Sequence, residues 1–299
     1  MIPLIVRAVP GGKRVLNRQK AVIALLQAAD RPVSRTELMK WCFLLYRETA
    51  SGGGTAFYQF LPYRWGPFSF CLDREIGTLV RQGFVRETEQ DRWELAETGE
   101  AASNSLAGPV QADIRRLVDR FRGAPLGRLV GYVYRKYPWF TVNSEKEQRE
   151  SRPVAPAAVY TAGYEGCLVD GFLDRLLRAG IQQITDVRHN PISRQYGFHK
   201  STLNRLCSNV GIDYLHMPQV GIPSALRRHL RTEADYADLF DRYKAQLSSQ
   251  KAPFVRRIAV AMKQKPTALV CMEAEPSRCH RSRLADAVSR RNNLEVVHL

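Results

Sequence analysis

Apolar and polar positions follow two different patterns along the 299-residue chain. In the first half, apolar residues recur at the three- and four-residue spacing of one helical face, as in the segment AVIALLQAA. Residues 84–87 and 92–95 alternate apolar and polar side chains on either side of a polar break, which predicts a β-hairpin. The predicted helices of this half cover residues 17–29, 38–46, 72–82, 110–122 and 126–137.

The second half alternates short apolar runs with helical segments. Its predicted strands cover residues 157–161, 181–187, 212–215, 267–271 and 294–297. Its predicted helices cover residues 169–179, 201–208, 233–248, 253–263 and 281–291. Strands that alternate with helices imply βαβ crossovers, so we expect a mostly parallel sheet with helices on both faces.

The predicted fold class is therefore α/β. We expect a three-layer α/β/α domain at the carboxy terminus and a mainly helical, winged-helix-like domain at the amino terminus. Between them, residues 143–156 (NSEKEQRESRPVAP) are polar and end in two prolines, a composition typical of a linker. This places the predicted domains at residues 1–150 and 151–299, with a boundary near Ser151.

The order helix, helix, helix, hairpin in the first domain is typical of a winged helix, whose third helix enters a DNA major groove. That helix offers Arg74 and Arg81, but also Asp73 and Glu75, which would repel phosphate. A protein-interaction or dimerisation module on the same scaffold is equally compatible with the pattern.

A resemblance favours the second reading of this domain. Residues 38–85, through the segments FYQFLPYRWGPFS and LVRQGFV, resemble the SocA-like, or Panacea, antitoxin-associated domain. The resemblance implies a small helical domain used for protein contacts or regulation rather than for catalysis.

Composition and charge narrow the class of protein and its partners. The chain has no apolar run of the roughly 18–20 residues needed to cross a bilayer and no signal-type amino terminus, so we expect a cytoplasmic protein without a membrane partner. Its six cysteines are scattered, which favours reduced thiols. A formal net charge of +16 makes nucleic acid, with DNA favoured, the leading partner class, although a generally arginine-rich composition would also raise the charge.

Polar residues collect where each predicted strand of the second half ends. These segments are GYEG (163–166), DVRHNP (186–191), His216 with its neighbours, and CMEAEPSRCHR (271–281). Since the carboxyl ends of parallel strands lie at one edge of a sheet, the sequence predicts that these segments form one pocket.

The same segments carry a family resemblance. The stretches TAGYEG, ITDVRHNPISRQYGF, GIDYLHMPQVG and ALVCMEAEPSRCHRSRLA resemble the successive motifs of the domain of unknown function 488 family. The resemblance implies an α/β domain whose cysteines suggest an enzyme, although the family name states that no reaction is established. By motif position it singles out Gly163, Tyr164, Asp186, Arg188, Cys271, Glu273, Cys279, His280 and Arg281.

Thiol chemistry and metal binding are two of the chemistries that fit these residues. Cys279 precedes a predicted helix beside two basic residues, which favours a nucleophilic thiolate, whereas nearby glutamates oppose it. Cys271, Cys279 and His280, with His216 or His189, could bind zinc. The wide spacing of the two cysteines is unlike that of structural zinc sites, so we expect no metal and no cofactor.

Carboxylate chemistry is the third possibility. Asp186 and Glu273 could divide the roles of nucleophile or base and of acid, as glycosidic-bond chemistry requires. Arg188, Arg278 and Arg281 would then hold phosphate groups. A purely structural cluster, with a Glu273–Arg281 salt bridge and cysteines that fill the core, is the alternative.

Two basic segments add candidate nucleic-acid contacts. Residues 188–200 (RHNPISRQYGFHK) mix basic and aromatic side chains, as segments that stack bases do, and residues 226–231 (LRRHLR) are strongly basic. Solvated surface is the alternative for both. The predicted nucleic-acid-binding residues are Arg194, Tyr196, His199, Lys200, Arg227 and Arg228.

The leading hypothesis is a hydrolytic or glycosidic-bond enzyme acting on a nucleic acid or nucleotide, in a process such as DNA repair or defence. Its first domain would position substrate, bind a protein partner or self-associate. The alternative is a non-catalytic regulator that binds DNA or protein and senses an anionic ligand. The predicted catalytic residues are Asp186, Glu273 and Cys279, and the predicted substrate-binding residues are Tyr164, Arg188, His189, Cys271, His280 and Arg281.

Overall fold

A computed structural model describes residues 15–228 and 230–299 of the protein. The chain divides into two compact units. The first comprises the described residues up to Tyr58 together with Leu72–Val133, and the second comprises Gln59–Cys71 together with Tyr134–Leu299. The domain boundary expected near Ser151 remains a prediction, because compact packing does not test independent folding.

Eleven α-helices and ten strands lie within the described residues. The helices are α1 (Asn17–Ala29), α2 (Arg35–Glu48), α3 (Phe70–Gln82), α4 (Glu100–Ser103), α5 (Gly108–Phe121), α6 (Leu126–Lys136), α7 (Val169–Arg178), α8 (Lys200–Asn209), α9 (Glu233–Ser248), α10 (Ala252–Gln264) and α11 (His280–Asn292). The strands are β1 (Val33–Ser34), β2 (Leu61–Tyr63), β3 (Gly66–Phe68), β4 (Val85–Glu87), β5 (Arg92–Leu95), β6 (Val159–Gly163), β7 (Gln183–Asp186), β8 (Asp213–His216), β9 (Thr267–Cys271) and β10 (Val296–His298).

The first unit is mainly helical. Its predicted hairpin is confirmed as the antiparallel pair β4–β5, and β1 pairs with β5 to complete a three-stranded sheet in the order β1-β5-β4. Helix α2 begins after Ser34, whose hydroxyl accepts a hydrogen bond from the backbone N–H of Glu37. The winged-helix assignment and the SocA-like resemblance remain predictions.

Glu75 of the third helix is not exposed to a phosphate. Its carboxylate accepts three hydrogen bonds from Nε and Nη2 of Arg18 and one, at 2.8 Å, from the hydroxyl of Tyr58. The charge of this acid is therefore buried and paired within the first unit.

The second unit confirms the predicted α/β fold. Its five-stranded sheet has the order β10-β6-β9-β7-β8, and every neighbouring pair is parallel. The connections through α7 and α8 run towards β8, so right-handed crossovers place these two helices on one face of the sheet. The connections through α9, α10 and α11 run back towards β10, which places these three helices on the other face. Apolar residues of α9, α10 and α11 share a core with Val159, Leu269 and Cys271.

The face on which the following helix packs changes at β9. This central strand leads into α11 on one face, whereas its neighbours β6 and β7 lead into α7 and α8 on the other. Ligand crevices in open α/β sheets lie at such points, outside the carboxyl ends of the strands. Cys271 is the last residue of β9 and lies beside Gly163 of β6.

Predicted and observed element bounds differ by a few residues at several ends, most clearly at β6. This strand was expected over residues 157–161 but runs over Val159–Gly163, because its register with β9 extends to the pair Gly163–Cys271. In the described part of the chain, no helix combines the length and hydropathy that crossing a membrane would require.

Candidate active site

The turn from β9 into α11 forms the candidate site. Cys271 ends the strand, a short 3₁₀ helix covers Pro276–Arg278, and Cys279 is the amino-terminal capping residue of α11. The guanidinium of Arg281 donates to the backbone carbonyls of Glu273 and Ala274, and the carboxylate of Glu165 accepts from the backbone N–H of Ala274 at 3.0 Å. These contacts hold the turn in one conformation.

Gly163 allows β6 to approach this turn closely. A Cβ atom at this position would lie 2.0 Å from the carbonyl oxygen of Glu273. Any side chain here would push the turn away from the sheet edge. The glycine of the TAGYEG stretch is therefore a packing requirement of the site.

Two thiols share one carboxylate oxygen inside the turn. The Sγ atoms of Cys271 and Cys279 each lie 2.9 Å from Oε2 of Glu273. Nδ1 of His280 lies 3.7 Å from the first sulfur and 3.9 Å from the second. Both cysteines and the histidine are buried, whereas the Glu273 side chain keeps about a quarter of its surface exposed.

The imidazole of His280 is held in a defined orientation. Its Nε2–H donates to the backbone carbonyl of Val187 at 3.1 Å, so Nδ1 carries the lone pair that faces the two sulfurs. The ring of Tyr243 packs edge-on against the imidazole at 5.7 Å between centroids. His280 can therefore accept a proton or bind a cation, but only on the side of the thiols.

Hydrogen bonds within this cluster favour the ionised forms of Glu273 and Cys279. Burial alone would raise the pKa of Glu273, but the hydrogen bonds from the two thiols outweigh it and hold that pKa below the usual value. Burial also opposes ionisation of Cys279, yet its hydrogen bonds with Cys271 and His280 lower the thiol pKa. The pKa of Cys271 is raised well above its usual value, first by the hydrogen bond with Cys279 and then by burial, so Cys279 ionises first.

A cleft of about 760 Å³ opens beside the cluster. Glu273 and His280 reach it from the turn, and Tyr236 and Phe240 of α9 contribute aromatic surface. Four guanidinium groups also line it, those of Arg227, Arg228, Arg278 and Arg283, together with four carboxylates, those of Glu165, Glu233, Glu273 and Glu275. Nη1 of Arg227 lies 3.3 Å from Oε1 of Glu273, on the opposite side of the carboxylate from the thiols.

Asp186 belongs to a separate, closed network. Its carboxylate accepts from Nε and Nη2 of Arg188 at 2.8 and 2.6 Å and from the hydroxyl of Tyr214 at 2.7 Å. Nη1 of Arg188 donates to the hydroxyl of Tyr164, whose ring stacks on Phe198 at 4.0 Å. Asp186, Arg188 and Tyr164 are all buried, so their predicted catalytic and substrate-binding roles remain predictions that this geometry does not favour.

The register of the sheet explains the separation of the two carboxylates. Asp186 pairs with Val270, one residue before Cys271. Because successive side chains of a strand point to opposite faces, Asp186 and Cys271 face opposite sides of the sheet. The predicted convergence of the strand ends occurs at the backbone, but the side chains of Asp186 and Glu273 do not share a pocket.

The remaining predicted contacts lie in several places. His189 is exposed, with Nδ1 3.3 Å from the carbonyl of Pro218, and Nε2 of His216 lies 3.0 Å from the carbonyl of Arg188. Arg227 and Arg228 are exposed at the cleft, and His229 lies outside the described residues. Of the basic tract, Arg194, His199 and Lys200 are exposed and Tyr196 is half-buried, whereas Phe198 is fully buried and contributes to the core instead of an open stacking surface.

Sequence reasoning missed part of the cleft. Tyr236, Arg283 and Glu165 were not candidates, although Glu165 stands within GYEG and Arg283 two residues beyond Arg281. The predicted phosphate contact of Arg281 also remains a prediction, since its guanidinium is buried against carbonyls. A helical projection of α11 places Arg281 and Arg283 on different sides, which is the signal that could have distinguished them.

Comparison with known proteins gives one match. A search of curated proteins and a search of solved structures each found no significant match to the chain. The model of the family described as Domain of unknown function DUF488 matches residues 168–288, a range that includes the cysteines, the glutamate and the histidine of the site. Residues 168–288 of this chain are therefore similar to the DUF488 family, as the motifs of the sequence led us to expect.

Proposed function

We propose that the protein is an enzyme that cleaves a bond in a nucleotide or nucleic acid, and that its substrate binds in the cleft beside Glu273. The observation that carries this proposal is the juxtaposition of a half-buried carboxylate with four arginine side chains and two aromatic rings. The cleft volume of about 760 Å³ lies within the range of small-molecule sites.

The arginines favour a substrate with phosphate groups. Guanidinium groups bind phosphate through paired hydrogen bonds, and several of them around one cleft raise the local concentration of an anion. The guanidinium of Arg283 lies 4.6 Å over the ring of Phe240, which leaves Tyr236 as the more exposed aromatic surface for a base. The net charge of +16 agrees with a polyanionic partner.

Glu273 is the group that we assign to the chemistry. Its lowered pKa keeps it ionised at neutral pH, so it can orient and activate a water molecule or attack the substrate directly. We do not assign the second carboxylate of glycosidic-bond chemistry to Asp186, because its carboxylate pairs with Arg188 and Tyr214. Hydrolysis that uses the carboxylate of Glu273 and the arginine side chains of the cleft is the reaction class that the geometry favours. The first unit would then position the substrate or bind a protein partner.

An unbiased turnover screen tests this proposal. Wild-type protein is incubated with nucleotides and with modified single- and double-stranded oligonucleotides, and products are detected by mass spectrometry. A genuine activity is expected to be lost in Glu273→Gln and kept in Glu275→Gln, because Glu275 is exposed in the same turn, where it accepts hydrogen bonds from Ser277.

The result also decides between the enzyme and a non-catalytic regulator. Binding of an oligonucleotide or nucleotide in the cleft without turnover of any substrate would favour the regulator. Turnover that Glu273→Gln leaves unchanged would assign the chemistry to another site.

A further inference from the structure

We propose that Cys271, Cys279, His280 and Glu273 form a binding site for a Zn²⁺ ion. The four ligand atoms lie within 4.8 Å of one another, and they are two sulfurs, one imidazole nitrogen and one carboxylate oxygen. This inference goes beyond the proposed function and does not depend on it, because a metal bound at Oε2 of Glu273 would leave Oε1 facing the cleft. It also departs from the expectation, drawn from the wide spacing of the cysteines, that the chain holds no metal.

The fold brings Cys271 and Cys279 together despite their wide spacing in the sequence. Cys271 ends β9 and Cys279 caps α11, and the 3₁₀ turn Pro276–Arg278 brings the two residues back to the same carboxylate oxygen. Glu273, which the sequence did not suggest as a ligand, completes the set. His189 and His216, which it did suggest, contact backbone carbonyls elsewhere.

The distances between the ligand atoms bracket those of a tetrahedral zinc site. With metal–sulfur bonds of about 2.3 Å and metal–nitrogen or metal–oxygen bonds of about 2.0 Å, ligand atoms around zinc lie about 3.3 to 3.8 Å apart. Nδ1 of His280 lies 3.7 and 3.9 Å from the two sulfurs. The sulfur–oxygen distances of 2.9 Å are those of S–H···O hydrogen bonds, which lengthen when a metal replaces the two thiol protons.

The surroundings of the ligands are those of a metal site. The Nε2–H of His280 donates to the carbonyl of Val187, the outer contact that commonly orients a metal-bound imidazole. The backbone N–H of Arg281 points at Sγ of Cys279 from 3.5 Å, and the amino-terminal end of α11 favours negative charge on that sulfur. The Arg281 guanidinium is itself buried and bonded to carbonyls, so two thiolates in the same turn would supply opposite charge.

The chemistry of the ligands selects the metal class. Thiolate and imidazole ligands favour zinc over magnesium or calcium, which prefer oxygen. Glu273 is the ligand that faces the cleft, and Arg227 holds its second oxygen at 3.3 Å. Glu273 therefore occupies the coordination position that lies nearest the cleft.

Metal analysis of the untagged full-length chain tests the inference. We expect about one equivalent of zinc per chain after purification without chelator. After removal of the metal and titration with Co²⁺, we expect ligand-field bands of tetrahedral cobalt and a thiolate-to-cobalt charge-transfer band. Cys271→Ser, Cys279→Ser and His280→Gln should each weaken zinc binding roughly tenfold or more. The matched control is Cys167→Ser, which changes a partly exposed cysteine outside the cluster and should retain the metal.

Several results would overturn the site. The first is a folded wild-type chain that shows no bound metal and no charge-transfer band. The second is a Cys271–Cys279 disulfide in place of the metal. The third is a loss of metal in Cys167→Ser as large as that in the ligand variants. If a ligand variant fails to fold by circular dichroism, the cobalt spectrum of the wild-type chain decides. Turnover by a wild-type chain that contains no metal as purified would contradict the zinc site alone, whereas bound zinc without turnover of any substrate would contradict the proposed function alone.

Discussion

The carboxylate of Asp186 lies 2.6 Å from Nη2 of Arg188, and both side chains are buried within the second unit. A buried ion pair that loses one partner leaves an uncompensated charge, which costs about 3 to 5 kcal/mol. We therefore expect Asp186→Asn to lower the free energy of unfolding by several kcal/mol, as measured by chemical denaturation.

A surface pair provides the control for this prediction. Asp238 pairs with Arg242 on the exposed face of α9, so Asp238→Asn should leave the denaturation midpoint nearly unchanged. An Asp186→Asn protein with wild-type stability but no turnover would contradict the structural assignment and return Asp186 to the catalytic residues.

The cleft arginines predict how DNA binding depends on salt. Each phosphate contact that is lost lowers the slope of log affinity against log salt concentration by about 0.7 to 0.9. The double variant Arg227→Ala, Arg228→Ala should therefore bind a single-stranded oligonucleotide more weakly and with a smaller slope than wild type. The measurement is fluorescence anisotropy over a salt series.

A second double variant controls for net charge. Arg290→Ala, Arg291→Ala removes the same charge from the exposed carboxy-terminal end of α11 and should change the slope much less. Equal effects of the two double variants would indicate nonspecific attraction. A flat salt dependence of the wild-type chain would contradict nucleic-acid binding.

Lys40 predicts a pH dependence of stability in the first unit. Burial lowers the pKa of this lysine from 10.5 to about 7. Between these values the unfolded chain binds a proton that the folded chain does not, so stability rises as pH increases from 7 to 10.5, by at most about 1.4 kcal/mol per pH unit. Lys40→Met should remove this rise, since the substitution eliminates the titrating group.

Denaturation at several pH values between 7 and 10 measures the difference between the two proteins. Lys263→Met, which changes an exposed lysine, should retain the wild-type slope. Parallel stability curves for wild type and Lys40→Met would show that Lys40 keeps an ordinary pKa in the folded protein.

Much of the fold could be predicted because its strands are continuous apolar runs. Val159–Gly163 and Thr267–Cys271 are buried along their whole length, and such runs between helices predict a parallel sheet. The position of the site followed from the same pattern, since polar residues come directly after these strands.

The side-chain directions at the site could not be predicted. Whether Asp186 and Cys271 face the same side depends on a register of one residue, which the hydrophobic pattern of two mostly buried strands does not specify. Phe198 has the composition of a stacking surface, but the pocket formed by Tyr164 and Phe172 buries it. The shared contact of two thiols with Glu273 depends on the turn Pro276–Arg278, which no periodicity indicates.

The position at which a nucleic acid contacts the protein tests the central claim most directly. The measurement is photocrosslinking of a bromouracil-containing, 5′-phosphorylated single-stranded oligonucleotide to the wild-type chain, with the crosslinked residues identified by mass spectrometry. We predict crosslinks at Tyr236 and in the segment 273–283, which line the cleft. Crosslinks confined to the first unit or to residues 189–200 would contradict the assignment of the cleft as the substrate site.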